Sequence, residues 1–513
     1  MEHEQSKETL LRNLFLGTGT KQWGCACLAK ILLFVSIVIR CESNLLHAQA
    51  TLSVGWKAGF SKESITPTEP MWMSGYAGRT APAQEAETEL WAKASVLENA
   101  HGIRAVLVTL DLVGIDRQMS QEICNRITSL HKIPREAIVL SVSHTHCGPV
   151  VGSTLSTMYA LDATQQSRVA SYSRKLIDRI EQAVTQAAQR VEPVTLAWGV
   201  GSAGFAVNRR ANIEAEVPAK RAAGIALAGP VNHDVPVLTA RREDGSLCGI
   251  IFGYACHATT LSYQKWCGDY PGFASSDLES THPGSVAMFF AGCGADQNPL
   301  PRKTVELAKE YGLQLADAVE RVIDLPMITL APEFQAIYHE IDLAFVKVPS
   351  REECEFDMKS QDRFLASRAR GFLADLDGGK SIPATYPYPI GIWRLGKSLE
   401  IVSLGGEVVV DYSRTIQEAI SDRRAPQRSS QTENIADGSM LGSDVWVMGY
   451  ANDVMAYIPS LRVLNEGGYE GASAMVYYGR PSPWAADVEE RILTEVVRQS
   501  DHLKSQSPQL LKQ

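Results

Sequence analysis

Short apolar runs alternate with longer amphipathic segments along most of the chain, and no other feature of the sequence constrains the fold as strongly. The runs at 102–112, 137–142 and 249–256 are almost continuously apolar, which is typical of strands that are buried on both faces. The segment 163–191 instead carries apolar residues three and four positions apart, as an amphipathic helix does. This alternation predicts an α/β fold with a mixed or parallel sheet whose two faces are covered by helices.

The same patterns predict the remaining elements and a simple domain organisation. Hydrophobic residues make up 45% of the chain, and the sequence contains neither an internal repeat nor a low-complexity linker. We therefore expect one large domain over 51–513, with a polar loop at 423–438. Further strands are predicted at 285–290, 399–404 and 444–448, and further helices at 118–131, 303–323, 351–372 and 408–420.

The first fifty residues have the pattern of a secretory signal. Basic residues lie around an apolar run at 31–39, and the tripeptide at 48–50 is Ala-Gln-Ala, a small-x-small cleavage pattern. The apolar run is interrupted by Lys30 and Arg40 and is short for the ~30 Å hydrocarbon core of a membrane. We expect 1–50 to be a signal peptide and the mature protein to be secreted or periplasmic; an uncleaved anchor is the alternative.

Charge and cysteine content exclude several classes of protein. The chain has 49 Lys and Arg against 58 Asp and Glu, and no run of five basic residues, which argues against nucleic acid as the main partner. The seven cysteines beyond residue 50 include no CxxC pair, so neither a disulfide scaffold nor a cysteine-rich zinc module is expected. Most should be small buried residues, and Cys256 and Cys267 are the closest candidates for a bridge.

Two histidines follow the predicted strand 137–142. On a continuing strand, residues two apart face the same side, so His144 and His146 would point into one space. Two imidazoles at the C-terminal end of a strand suit a metal or an acid–base pair, since α/β folds bind ligands at that edge. The alternative is two ordinary surface histidines before the turn at Gly148-Pro149.

Three other segments place polar residues where a core strand should end. His257 follows the strand 249–256, although a lone histidine there is more often a core residue. A loop of small residues at 291–299 would let backbone N–H groups approach a ligand. Glu407 follows the strand 399–404, and Tyr457 lies in a later segment. Each of these signals is weak by itself.

Taken in order, the motifs resemble those of the neutral, non-lysosomal ceramidases. They are His-Thr-His-x-Gly-Pro at 144–149, the single histidine at 257, Asp-x-x-Pro at 296–299, Gly-Glu at 406–407, Asn-x-x-x-x-Tyr-Ile at 452–458 and Tyr-Glu-x-Ala-Ser at 469–473. The resemblance begins near Lys57 and runs through most of the chain. Members of this family are zinc-dependent hydrolases that cut the amide bond of N-acylsphingosines.

The resemblance implies a site and a substrate class. His144, His257, Glu407 and Tyr457 fall on the positions that bind zinc, a nitrogen and oxygen set that suits Zn²⁺ at the ends of strands. His146 and Arg209 fall on positions that contact the reacting centre, as oxyanion donor or proton source. The expected partner is a lipid-like or small amide substrate, with peripheral membrane contact also compatible.

The sequence also departs from the family pattern in two places. Asn298 stands where the family carries a serine, and an amide cannot act as a nucleophile. The chain ends about forty residues after the Tyr-Glu motif, whereas familiar ceramidases carry a C-terminal immunoglobulin-like domain. We therefore expect a metal-dependent hydrolase of a changed substrate.

Two other classes of function stay open. One is a hydrolase of a different amide or ester that uses the same centre. The other is a catalytically silent secreted binding protein whose metal is structural. Four ligands from four distant segments favour an enzyme, because structural zinc sites usually use close pairs and cysteine.

The leader gives the first testable prediction. If 1–50 is removed on export, N-terminal sequencing of exported protein should begin near Thr51. Recovery of a soluble cytosolic chain that still begins at Met1 would contradict export.

Overall fold

The computed structural model describes residues 55–421 and 443–505. The described residues cluster as one compact unit. The predicted signal peptide at 1–50 and the predicted loop at 423–438 lie outside the described residues. Among the helices that are described, none is both long enough and apolar enough to cross a membrane.

The strands and helices are as follows. The strands are β1 Trp56–Ser64, β2 Glu85–Ala86, β3 Trp91–Glu98, β4 Arg104–Leu110, β5 Ile138–Val142, β6 Glu192–Ser202, β7 Ala206–Asn208, β8 Asp234–Arg241, β9 Leu247–Tyr254, β10 Lys265–Trp266, β11 Val286–Ala291, β12 Gln297–Pro299, β13 Ile328–Thr329, β14 Phe334–Ala344, β15 Thr385–Leu395, β16 Leu399–Leu404, β17 Glu407–Val408, β18 Val445–Met448 and β19 Tyr457–Ile458. The helices are α1 Arg117–His131, α2 Ala163–Gln189, α3 Val217–Ala222, α4 Asp269–Thr281, α5 Val305–Ile323, α6 Arg351–Asp357, α7 Arg363–Asp377, α8 Asp411–Ser421, α9 Leu461–Glu466, α10 Gly468–Gly471 and α11 Val488–Ser505.

A large mixed sheet forms the centre of the fold. Its strand order is β11-β9-β8-β6-β1-β3-β4-β5, and β13 pairs with β6. The pairs β11–β9 and β4–β5 are parallel, whereas the other neighbours are antiparallel. A second sheet has the order β14-β15-β16-β18, in which β16 and β18 are parallel. The predicted mixed sheet is therefore confirmed.

The large sheet folds over so that its two halves pack together between helices. On β1, Gly59 faces α2, because a Cβ there would lie 2.0 Å from the Ala187 carbonyl oxygen. Its neighbour Phe60 points the other way, onto Gly249 of β9, where a Cβ would lie 2.1 Å from the ring. Helices α4 and α5 pack on β11, β6 and β8 on the far side. Helices therefore cover both outer faces, as predicted.

Most predicted elements are present, with shifts of a few residues at their ends. The strand Leu399–Leu404 has the predicted bounds. The predicted helix 351–372 is wrong in one respect, because it divides into α6 and α7. The second of these begins anew at Asp362, whose carboxylate accepts hydrogen bonds from the backbone N–H groups of Phe364 and Leu365.

The cysteines take the role expected of small buried residues. All seven in the described residues are buried and free. The candidate bridge between Cys256 and Cys267 is therefore not formed. Cys267 instead accepts a hydrogen bond from the Thr88 hydroxyl, and its backbone carbonyl accepts one from Thr145.

Candidate active site

Segments that follow the C-terminal ends of three strands meet at one buried place. His144 follows β5, His257 follows β9, and Glu407 follows β16. Glu407 begins β17, which pairs in parallel with β19 so that Glu407 lies opposite Tyr457. The four side chains are between 1% and 4% exposed. The structure thus brings together the four residues that the resemblance assigned to a metal.

The two histidines of the His-Thr-His motif converge by a different route from the one predicted. Strand β5 ends at Val142, so His144 and His146 do not lie on a continuing strand. His144 instead has a φ of 59°, in the left-handed region. The resulting turn places the Nε2 atoms of the two rings 3.1 Å apart. The prediction of a shared space is confirmed, but its basis in strand alternation is wrong.

The carboxylate of Glu407, two imidazole rings and the hydroxyl of Tyr457 face one another at the centre of the cluster. The Oε2 atom of Glu407 lies 3.1 Å from the Nε2 atom of His144 and 3.1 Å from that of His257. The hydroxyl of Tyr457 lies 3.4 Å from Nε2 of His257. These distances bring four nitrogen and oxygen atoms around one point.

Backbone carbonyls fix which ring nitrogen carries the proton. The Nδ1 atom of His144 lies 2.6 Å from the carbonyl oxygen of Val113, and that of His257 lies 2.8 Å from the carbonyl oxygen of Gly294. A carbonyl only accepts, so we assign the proton to Nδ1 and a lone pair to Nε2 in both rings. Burial lowers the pKa of His257 to about 4, which keeps this imidazole neutral at neutral pH.

Glu407 has one carboxylate oxygen with a donor and one without. Burial opposes the ionisation of this carboxyl, and its pKa falls below the usual range where positive charge lies at the facing His144 and His257 rings. Its Oε1 atom accepts a hydrogen bond from the hydroxyl of Tyr478. Within the described residues, Oε2 has no hydrogen-bond donor. A buried acceptor in this position costs about 1–3 kcal/mol when nothing pairs with it.

This set of atoms fits a cation. Two imidazole lone pairs, a carboxylate oxygen and a phenol oxygen repel one another unless a positive ion lies among them, and they are the ligand types that zinc accepts. The ring nitrogens of His144, His146 and His257 also lie within 4.8 Å of one another, so these three histidines could hold a metal ion as well. A buried, histidine-rich group that can bind a metal is therefore present.

His146 differs from the other two histidines in its surroundings. Its Nδ1 atom has no hydrogen-bond partner in the part of the chain that the structure describes. Burial, followed by the nearby His144 and His257 rings, lowers its pKa well below the usual value. His146 also lines a cleft of about 630 Å³ that opens to solvent. It therefore lies between the buried cluster and the solvent.

Arg209 joins the cluster to the wall of the cleft. Its Nη2 donates to the hydroxyl of Tyr457 at 3.1 Å, and its Nη1 donates to Oδ1 of Asn298 at 3.2 Å. Its Nε donates to Glu470 at 2.8 Å. Burial works against the charge, but Tyr457 and Glu470 raise the pKa of Arg209 well above its usual value. The guanidinium is thus fixed and charged.

Asn298 lies in this site and does not cap a turn. It belongs to β12, where it pairs with Val207 of β7. Its Oδ1 accepts hydrogen bonds from Arg209 and, at 3.5 Å, from the hydroxyl of Thr259. The side chain is 5% exposed and lines the cleft. All seven residues that the sequence pointed to therefore lie in one place.

Three residues that support the site were not predicted. Glu470 pairs with Arg209, and Tyr478 donates to Glu407. Asp296 accepts from the backbone N–H of Val410 at 2.8 Å through Oδ1 and from Nδ2 of Asn208 at 3.1 Å through Oδ2. The motifs at 296–299 and 469–473 pointed to two of these loops but not to their partners, and no sequence signal marked Tyr478.

The chain is similar to known proteins in part of its sequence and in its fold. Residues 56–296 match the family described as neutral/alkaline non-lysosomal ceramidase, N-terminal. Among curated proteins, none matches the chain in sequence. His144, Arg209 and His257 lie inside the matched range, whereas Asn298, Glu407 and Tyr457 follow it.

Two solved structures are similar to the described fold. One is a ceramidase complexed with C2, and the other is the neutral ceramidase from Pseudomonas aeruginosa. Each aligns with a TM-score of 0.67 and 18% sequence identity over 90% of this chain, covering 77% and 76% of those chains respectively. At this identity the likeness concerns the fold. The resemblance to neutral ceramidases that the sequence motifs indicated is confirmed.

Removal of one imidazole tests whether the cluster holds a metal. His257→Ala deletes a ligand nitrogen, so the purified protein should lose most of its bound zinc in elemental analysis after dialysis. His282→Ala is the matched control, because this histidine pairs with Glu320 and lies outside the cluster. Equal zinc content in the two variants would show that His257 is not a ligand.

Proposed function

We propose that the chain is an exported, zinc-dependent hydrolase of the ceramidase type that cleaves an amide bond. The observation that carries this proposal is the buried set of facing acceptors, in which Glu407 Oε2 lies 3.1 Å from the Nε2 atoms of His144 and His257. The match to the ceramidase family and the open cleft beside the cluster support a hydrolase. In a binding protein without catalytic activity, the metal site would not need to be accessible from the cleft. Here His146, which contacts the cluster, also lines the cleft.

The proposed ligands are His144, His257, Glu407 and Tyr457. Metal-binding histidines almost always donate their second ring N–H to a carbonyl or a carboxylate. His144 and His257 have such carbonyl partners, whereas Nδ1 of His146 has none in the described residues. This difference supports a catalytic role for His146 and metal binding by the other two imidazoles.

The protein's own groups would then carry out the remaining chemistry. Zinc, when bound, would supply Lewis-acid polarisation of the amide carbonyl and of a water molecule. His146 faces the cleft as a neutral imidazole, so it can take a proton from the attacking water and return it to the leaving amine. Arg209 donates one N–H group from each of its three nitrogens, to Glu470, Asn298 and Tyr457. Two of its five N–H groups, one on each Nη atom, are then left to bind the oxyanion.

A hydrolysis assay with metal exchange tests the proposed activity. Zinc-loaded protein should hydrolyse at least one member of a panel of N-acyl lipids, short amides and esters. Chelation should abolish the reaction and added zinc should restore it, while His146→Ala should keep the zinc and lower kcat by about 10²-fold or more. Zinc-loaded protein that is inert on every member would instead support a binding protein.

Asn298 should disfavour ordinary ceramide. Its amide is larger than the serine side chain of the family, and it already accepts hydrogen bonds from Arg209 and Thr259. A polar site can reject the wrong hydrogen-bonding partner by orders of magnitude. We expect weak ceramide turnover by the natural chain and at least about a tenfold gain in kcat/KM for Asn298→Ser. Asn298→Ala serves as the control, because it relieves the size of the side chain without adding a hydroxyl. Equal ceramide hydrolysis by the natural chain and Asn298→Ser would contradict this role.

A further inference from the structure

The walls of the cleft beside the cluster are polar and aromatic. Besides His146, Arg209 and Asn298, they include the charged residues Arg210, Arg302, Glu214, Glu466 and Glu470. Among the described lining residues the one aliphatic side chain is Leu300, which is fully buried and packs with Val207 and Val217. A ligand in the cleft therefore meets hydrogen-bonding groups, with apolar contact supplied by tyrosine rings.

The charges on these walls are paired with one another. Arg302 donates to Glu214 at 2.8 Å, with a second contact from Nε at 3.0 Å. Arg210 donates to Glu470 at 2.5 Å and to Glu466 at 3.0 Å. The three arginines, counting Arg209, balance the three glutamates. The cleft therefore favours neither an anionic nor a cationic ligand. It does present many hydrogen-bond donors and acceptors at fixed positions.

Aromatic rings lie beside these polar groups. Tyr469 is 41% exposed, and its ring centroid lies 5.3 Å from that of Tyr457. Tyr76 also lines the cleft and contacts His146, with ring centroids 4.7 Å apart. Tyrosine rings beside fixed polar groups suit a ligand that has both C–H faces and hydroxyl groups.

We propose, on the basis of the amide hydrolysis proposed above, that the substrate is a hydroxyl-rich, water-soluble amide with a short acyl group, such as an N-acylated amino sugar. Its hydroxyl groups can donate to the glutamates and accept from the arginines, while its ring packs on a tyrosine. A long alkyl chain would instead remove the paired charges of the walls from solvent without offering them any hydrogen bond, which carries a desolvation cost. It would also find no aliphatic wall to compensate, although burial of each CH₂ could otherwise contribute about 0.8 kcal/mol.

Two amides presented to the same zinc-loaded protein test this substrate class. The probes are the methyl glycoside of N-acetylglucosamine and C16-ceramide, both in the same detergent buffer. We expect kcat/KM to be at least tenfold higher for the sugar amide. Equal or faster turnover of C16-ceramide would overturn the inference and leave the proposed amide hydrolysis intact. Failure to hydrolyse any amide would overturn the proposed function and this inference with it.

A pair of double variants tests whether the cleft walls set this preference. Glu214→Leu/Arg302→Leu removes one paired charge from the wall and adds two aliphatic side chains without changing the net charge. It should shift the ratio of kcat/KM values at least tenfold towards C16-ceramide. Glu192→Leu/Arg242→Leu removes an ion pair of similar exposure, joined at 2.7 Å, that does not line the cleft. The control should leave the ratio unchanged, and an equal shift in both double variants would overturn the assignment.

Binding measured by calorimetry separates recognition from turnover. The His146→Ala chain, in which hydrolysis is slowed, should bind the sugar amide, and the added Glu214→Leu/Arg302→Leu change should weaken that binding at least tenfold. Binding that is absent, or unaffected by the double change, would overturn the inference.

Discussion

The arrangement on which the rest of the site depends is a set of buried acceptors in which Glu407 Oε2 lies 3.1 Å from the Nε2 atoms of both His144 and His257. Two imidazole nitrogens and a carboxylate oxygen do not stay together in a protein interior by themselves, because each loses its hydrogen bonds to water and repels the others. The surrounding structure must hold them in place, and a cation must repay the cost. The double-layered sheet and its covering helices supply that rigid support, since each residue comes from a segment that follows a different strand.

Specific contacts, and not the sheet alone, set the orientation of each ligand. The carbonyls of Val113 and Gly294 fix the tautomers of His144 and His257, and Tyr478 occupies the second oxygen of Glu407. Asp296 connects the segment that begins at Asn208 with the segment that follows Glu407. Its backbone carbonyl also accepts from the N–H of Arg209 at 2.8 Å. A change in any of these partners would move a proposed ligand without altering the ligand itself, as is usual for residues in the outer shell of a metal site.

The sequence predicted the fold where the hydrophobic pattern was continuous and failed where it was not. The parallel strands around 104–110, 138–142, 247–254 and 286–291 were found, because buried strands are uniformly apolar. The antiparallel strands β1, β3, β6, β8, β14 and β15 were not predicted, since several alternate polar and apolar residues or contain glycine. Glu192–Ser202, for example, alternates between buried and partly exposed positions.

For the candidate site, the sequence predicted which residues take part but not how they are arranged. Its residues could be named from motif order, because those side chains carry the chemistry. Their geometry could not, since it arises from contacts between distant segments. His144 shows the limit most clearly: strand alternation predicted the right neighbour for the wrong reason, because a left-handed turn at His144 replaces the strand. Tyr478 and Glu470 act through Glu407 and Arg209, and pairings of this kind leave no local pattern.

The cluster is separate from most of the cleft wall, and this separation is compatible with a ceramidase-like centre that acts on the proposed substrate. The proposed metal ligands are buried and contact one another, whereas the charged residues of the cleft walls pair mainly with each other, and Arg209 links them to the cluster through its contact with Tyr457. A substitution in the outer ion pairs of the walls can therefore alter which amide fits without disturbing the acceptor cluster, and the centre can be retained while specificity changes. Asn298 lies at the junction, because its side chain accepts a hydrogen bond from Arg209 and the residue also lines the cleft. Its amide thus couples substrate choice to the position of the guanidinium that contacts Tyr457, so that exchange of this residue affects recognition and the chemical step together.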